Sequence, residues 1–127
     1  MASASRRPIW RRLALGAFAM GWVVVAVLLL LPAEALPETT IWDKFEHAGI
    51  FAGLTAIGLL AFPERGRRWW LAFGLIAFGA GCEMLQIFVP GREAAVGDAV
   101  ANAVGVLSTV GLCSLLRPAI VRRPADT

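Results

Sequence analysis

Charge is what this sequence has least of. Asp, Glu, Lys and Arg make up 17% of its 127 residues and hydrophobic residues 58%, whereas soluble domains run about 25% charged and about 45–50% apolar. With a mean hydropathy of +0.70, that scarcity excludes an ordinary water-soluble domain and indicates one compact membrane domain. Histidine is almost missing, His47 being the single instance. One imidazole is sparse for a zinc site, so no metal or other cofactor is expected. The two cysteines, Cys82 and Cys113, fall at different depths of different apolar blocks, which argues against a disulfide and leaves both as small packing residues. Phosphate loops, glycine-rich nucleotide fingerprints and internal repeats are also missing.

What is present is apolar sequence in four blocks. Leu13 to Leu31 is 19 residues without a charge, enough at 1.5 Å per residue to cross most of a ~30 Å hydrocarbon layer. The second block begins near Lys44 and stops before Pro63-Glu64-Arg65; the third runs from Trp69 to Val89, before Pro90-Gly91-Arg92; the fourth runs from Asp98 to Leu116, before Arg117-Pro118. Helices are the open-chain way to satisfy backbone polar groups in lipid. The expectation is an all-α integral membrane protein with transmembrane helices over 13–31, 44–62, 69–89 and 98–116. These form a single domain, 1–127, with a basic arm at 1–12 and a basic tail at 117–127.

Basic residues predict sidedness. Arg6, Arg7, Arg11 and Arg12 precede the first block, Arg65, Arg67 and Arg68 follow the second, and Arg117, Arg122 and Arg123 follow the fourth. The other two loops hold Glu34 and Glu38 and, of the basic residues, Arg92, with Lys44 beside the first. By the positive-inside rule both termini are expected to be cytoplasmic in a multi-pass membrane protein. Trp10, Trp42, Trp69 and Trp70 stand at block ends, as interfacial anchors do. The net charge of +3 then reflects topology and anionic inner-leaflet lipid rather than nucleic acid.

The N-terminus also has features of a secretory signal: arginines, an apolar run, the twin arginine of S-R-R-P-I-W, and small residues around A-E-A at Ala33 to Ala35. The apolar run exceeds the ~7–15 residues of a signal core, which favours a retained first span.

Given this topology, polar residues gather near the outer ends of helices two to four. Asp43, Lys44, Glu46 and His47 open the second helix; Glu83 and Gln86 lie in the outer half of the third, Glu83 roughly 9 Å from its expected end; Arg92 follows in the loop; Asp98 and Asn102 open the fourth. Asp43 and His47 are i, i+4, Glu83 and Gln86 i, i+3, and Asp98 and Asn102 i, i+4, so each pair shares a helix face. A charge in lipid costs about 2.5–3.5 kcal/mol on insertion scales, which turns such faces inward. Lys44, His47 and Arg92 are the expected partners for Glu83. Gly79, Gly105 and Gly111 are expected to let helix backbones approach closely.

The segments D-K-F-E-H-A-G-I-F-A-G-L, E-M-L-Q-I-F-V-P-G-R and D-A-V-A-N-A-V-G carry the pattern D-K-x-x-H, E-x-x-Q, an arginine, then D-x-x-x-N-x-x-G. In order and spacing this resembles the VanZ-like family of small bacterial membrane proteins, over about half the chain. One departure is E-A-A-V-G after Arg92, where a serine is frequent in the family. The resemblance implies a four-helix envelope protein. The family takes its name from a protein conferring low-level resistance to teicoplanin, a lipid-tailed glycopeptide, and that phenotype is not implied for every member.

The expected function is a site that binds or modifies an envelope amphiphile at the outer face: a lipid, a lipid-linked cell-wall intermediate or a lipoglycopeptide. Its expected ligand-binding residues are Asp43, Lys44, His47, Glu83, Gln86, Arg92, Asp98 and Asn102. Lys44 and Arg92 suit phosphate. Catalysis would draw on His47, Asp43 and Glu83 as acid–base groups, but no serine or cysteine nucleophile lies in the motif, which favours binding. A blander alternative is a structural helix–helix network, in which Asp43 and Asp98 cap helices and Gln86 and Asn102 join them. A further alternative is a small ion, proton or solute transporter. The inner halves of helices two to four offer Thr55, Ser108 and Thr109 and no charge, too little for a path. A homo-oligomer is compatible with all of these.

Overall fold

The structure, a computed structural model, describes residues 7–36 and 43–121, the last five by backbone alone. Arg6, Glu38, Trp42, Arg122 and Arg123, which entered the sidedness argument, lie outside the described residues. Those described form four long helices: α1 (Ile9–Leu30), α2 (Asp43–Ala61), α3 (Arg68–Gln86) and α4 (Val96–Val121). Single 3₁₀ turns occupy Ala33–Ala35 and Arg65–Arg67, and no strand occurs among the described residues.

Each helix departs from its expected bounds for a local reason. α1 starts four residues early because the Pro8 carbonyl accepts the N–H groups of Arg11 and Arg12; proline suits a helix start, where its missing donor costs nothing. α3 stops at Gln86 rather than 89. There the chain loosens into turns, with the N–H groups of Phe88 and Val89 donating to Leu85 and Gln86, ahead of Pro90, which disfavours helix at the residue before it. Gly91 then adopts φ 72°, the left-handed region that glycine enters freely. α4 begins at Val96, its first turn closed by donation from Asp98 and Ala99 to the Ala95 carbonyl. It continues through Pro118 to Val121, a placement tolerated more readily in membrane helices than in soluble ones.

The helices alternate in direction. Arg11 near the start of α1 donates to the Ala61 carbonyl at the end of α2 and pairs with Glu64. At the opposite end Gln86, closing α3, donates to the Leu29 carbonyl near the end of α1, at 2.7 Å. Lys44 and Asp98 join the starts of α2 and α4 at 3.1 Å. One end of the bundle therefore holds Arg11, Glu64 and Arg68, and the other holds the acids and His47. At the arginine end, a backbone hydrogen bond and the Arg11 guanidinium hold the Glu64 carboxyl below its ordinary range.

Between the ends the core is apolar: Val25 and Leu29 of α1, Phe51, Leu54 and Leu59 of α2, Ala72 and Leu75 of α3, and Val106 and Val110 of α4. Trp22 stacks on Phe78 with ring centroids 4.1 Å apart, and Phe51 lies against the same ring. The outer surface is equally apolar, exposing Met20, Val23 and Val27 of α1, Trp69, Trp70 and Phe73 of α3, and Leu107, Leu112 and Leu115 of α4. The buried set meanwhile includes His47, Arg68, Glu83, Gln86, Asp98 and Asn102. Apolar outside and partly polar inside is the arrangement a lipid solvent favours.

Among the described residues, α1 and the Val96–Leu116 part of α4 are long and apolar enough to cross a membrane. The other two helices, 19 residues each, are diluted by polar residues: His47 on α2 and Glu83 and Gln86 on α3 are buried, Asp43 is partly buried, and Lys44 and Glu46 are exposed. Cys82 and Cys113 are free thiols. Of the three glycines expected at interfaces, Gly79 lies against Phe51 and Asn102 and Gly105 against the α2 backbone, while Gly111 faces open space.

Candidate functional site

The site is organised by the closest helix pair, α2 and α4. Gly105 admits the Ala48 backbone with no room for a Cβ, which draws the first two turns of each helix together. His47 and Asn102, both buried, meet across that seam: His47 Nδ1 is 3.0 Å from Asn102 Oδ1. A carbonyl oxygen only accepts, so Nδ1 is the donor in this contact. Nε2 looks toward Asp43 Oδ1, one turn earlier on the same helix, at 3.8 Å.

α3 closes the third side. Its Glu83, 4% exposed, brings Oε1 to 3.7 Å from His47 Nδ1, while Oε2 is 3.5 Å from the Ala95 N–H just ahead of α4. Glu83 Oε1 accepts no hydrogen bond, and Asn102 Nδ2 donates none. Buried polar atoms without partners are uncommon and costly. Asp98 lies at the rim, its Oδ1 accepting from Lys44 Nζ at 3.1 Å. Lys44, with 63% of its side chain exposed, lies over Gly97, where any Cβ would press on its Cε and Nζ.

Six of the eight expected site residues are thus brought together: Asp43, Lys44, His47, Glu83, Asp98 and Asn102. The other two serve the frame. Arg92 was expected to pair with Glu83 or to receive phosphate. Instead its guanidinium donates to the carbonyls of Leu28, Leu29 and Leu31 at 3.1–3.4 Å. The last carbonyls of a helix have no partner within it, and a forked cation satisfies several at once while complementing the dipole. Gln86 does the same for Leu29. Lys44, the other expected phosphate ligand, pairs with Asp98. The gathered residues therefore include three carboxyl groups, one ammonium and one imidazole, a set richer in acids than in bases.

Sequence reasoning missed two features. Arg68, counted as a loop residue, is the buried first residue of α3 and donates to Ser114 of α4 at 3.0 Å. The carbonyl end of α1 anchors the loop after α3, a role no side-chain motif announces because the acceptors are backbone atoms. The hydroxyls of Thr55, Ser108 and Thr109 each donate to the carbonyl four residues earlier, which spends their one donor within the helix.

No family model, curated protein or solved structure matches the chain.

Proposed function

We propose that the chain is a four-span protein of the bacterial plasma membrane, VanZ-like in kind, with both termini cytoplasmic and the His47 cluster facing outward. In this reading the cluster binds the polar head of an envelope amphiphile, a lipid or a lipid-linked cell-wall intermediate. The observation that carries it is the pairing of an apolar exterior on all four helices with a carboxylate-rich centre buried at one end. Groups so expensive to place in lipid are retained where they meet a ligand, and the unpartnered Oε1 of Glu83 leaves capacity to receive one. Recognition falls to Asp43, Lys44, His47, Glu83, Asp98 and Asn102. Their surplus of acidic groups favours a head group with a cationic or hydroxyl-rich face over a bare phosphate.

Mass spectrometry of lipids retained by purified protein tests this. Wild type is expected to carry a lipid species that Glu83→Gln loses while inserting and accumulating normally. Identical lipid profiles for the two would refute it.

A second reading, a structural helix–helix network, is favoured by Arg92 and Gln86, whose hydrogen bonds go to the end of α1. On that reading Glu83→Gln changes thermal stability and leaves lipid retention alone. Transport is disfavoured, because between the cluster and Arg68 the core is Phe51, Leu54, Leu75, Val106 and Val110, with no continuous polar lining among the described residues. Catalysis through His47, Asp43 and Glu83 has acid–base groups but no serine or cysteine nucleophile among the gathered side chains.

A further inference from the structure

The geometry points to a divalent-cation site at the mouth of the α2–α4 seam, formed by Asp43, His47 and Asp98 with Glu83 behind them. One ligand atom from each of the first three lies within 4.8 Å of the others. Three atoms so placed share a centre roughly 2.8 Å from each, near the ~2.3–2.6 Å of calcium–oxygen bonds and within a small side-chain adjustment of the ~2.0–2.2 Å of smaller cations.

Two independent features of the surroundings indicate a cation. The first is the orientation of His47. Nδ1 faces Asn102 Oδ1 at 3.0 Å, which turns Nε2 toward Asp43 Oδ1 at 3.8 Å. That gap is longer than a hydrogen bond, and a cation bound by both atoms would close it. A histidine ligand whose other ring nitrogen donates to an oxygen is the usual arrangement around metals. The second feature is Glu83, 4% exposed, whose Oε1 accepts no hydrogen bond while standing 3.7 Å from the same ring. A buried carboxyl oxygen that accepts nothing is costly to leave unpaired, and a cation close by would stabilise it.

Lys44 completes the argument. Its ammonium lies on Asp98 Oδ1, so the protein already supplies one tethered positive charge at the rim. Its side chain is mostly exposed and free to swing into solvent, and a bound cation would displace it. Lys44 is thus a built-in competitor. One imidazole with two or three carboxylates suits a hard or borderline ion, and the imidazole favours manganese over magnesium or calcium. The sequence led to no expected metal because one histidine is sparse for zinc, and a carboxylate-dominated site departs from that expectation. The cation site needs no amphiphile, so it stands or falls separately from the lipid reading.

The test uses the full chain, purified in lipid-free detergent without a polyhistidine tag and titrated with MnCl2, with free Mn2+ followed by electron paramagnetic resonance. Wild type is expected to bind one Mn2+ per chain. Asp43→Asn, at a partly exposed position that leaves the core untouched, and Asp98→Asn are each expected to weaken binding at least about tenfold, and Asn102→Ala about tenfold through loss of the His47 anchor. Lys44→Met is expected to tighten binding, the one change a purely structural Lys44–Asp98 pair does not predict. Mn2+ should also raise the unfolding temperature of wild type but not of Asp43→Asn. No stoichiometric Mn2+ uptake by wild type, or equal affinity in wild type, Asp43→Asn and Asp98→Asn, would overturn the assignment.

Discussion

Gly105 of α4 lies directly against the backbone of Ala48 of α2. A Cβ at position 105 would collide with the Ala48 carbonyl oxygen and stand 2.9 Å from its carbonyl carbon and 3.1 Å from its Cα. Backbone does not swing aside as a flexible side chain does, so any larger residue must push the helices apart. Ala48 follows His47, and Gly105 is three residues from Asn102, so this contact sets the distance at which the site's two central residues meet.

Gly105→Ala is therefore expected to cost roughly 1–3 kcal/mol, the range for overpacking a tight interior, and to weaken the His47–Asn102 hydrogen bond. Thermal unfolding in detergent measures the first effect. Gly111→Ala is the control: nothing lies within 4 Å of its added Cβ, so alanine there should be neutral or mildly stabilising, by about 0.5–1 kcal/mol from helix preference. Equal losses at both positions would show that the α2–α4 contact is not what limits stability.

Asn102→Ala removes the acceptor for His47 Nδ1 at a position that is 1% exposed. Hydrogen bonds between membrane helices average about 0.6 kcal/mol, but a buried donor left without a partner costs about 1–3 kcal/mol. The second effect should dominate, because the ring is enclosed and Glu83 Oε1, at 3.7 Å, is too far to substitute without movement. A stability loss below the membrane average would mean that water reaches the ring. Imidazole nitrogen chemical shifts in the wild type provide the direct check on the Nδ1–H tautomer.

Helix count, approximate helix bounds and the convergence of six polar residues were legible in the sequence for simple reasons. Apolar runs of span length leave few alternatives, and i, i+4 pairs such as Asp43 with His47 must share a face. What was illegible concerned partners rather than positions. Arg92 and Gln86 fit a ligand site by residue type, yet they bond to the carbonyls of Leu28, Leu29 and Leu31, and carbonyls carry no sequence signal. Whether Lys44 would choose Glu83 or Asp98 depended on α2 and α4 running parallel with their starts adjacent, a tertiary fact. The end of α3 shifted because Pro90 acts on the residues before it, whereas hydropathy continues to Val89.

Arg92→Lys tests the assignment of that residue to the frame. A lysine keeps the charge but loses the planar fork that serves three carbonyls, so the last turn of α1 should fray. Faster amide exchange over residues 28–31, with α2 and α4 unaffected, is the expected result, and a global loss of about 1–3 kcal/mol fits hydrogen bonds from a charged donor. If Arg92→Lys instead changed lipid or Mn2+ retention and left α1 exchange alone, the arginine would belong to the site after all.

The proposed topology places Glu34 and the His47 cluster outside and Gly66 inside, and single cysteines can read it. Glu34 is exposed, and Gly66 has nothing within 4 Å of an added Cβ, so Glu34→Cys and Gly66→Cys should both fold once Cys82 and Cys113 are replaced by alanine. In intact spheroplasts a membrane-impermeant maleimide should label the cysteine at 34 and reach the one at 66 only after permeabilisation. Ten of the twelve basic residues in the chain fall on the side predicted to be cytoplasmic, a bias that moves them against the membrane potential if the orientation is inverted. The reverse labelling pattern would invert the protein and face the carboxylate cluster toward the cytoplasm, removing envelope amphiphiles of the outer leaflet as ligands. Equal labelling of both positions in intact spheroplasts would show that α2, with its four polar residues in the first turns, does not cross the bilayer.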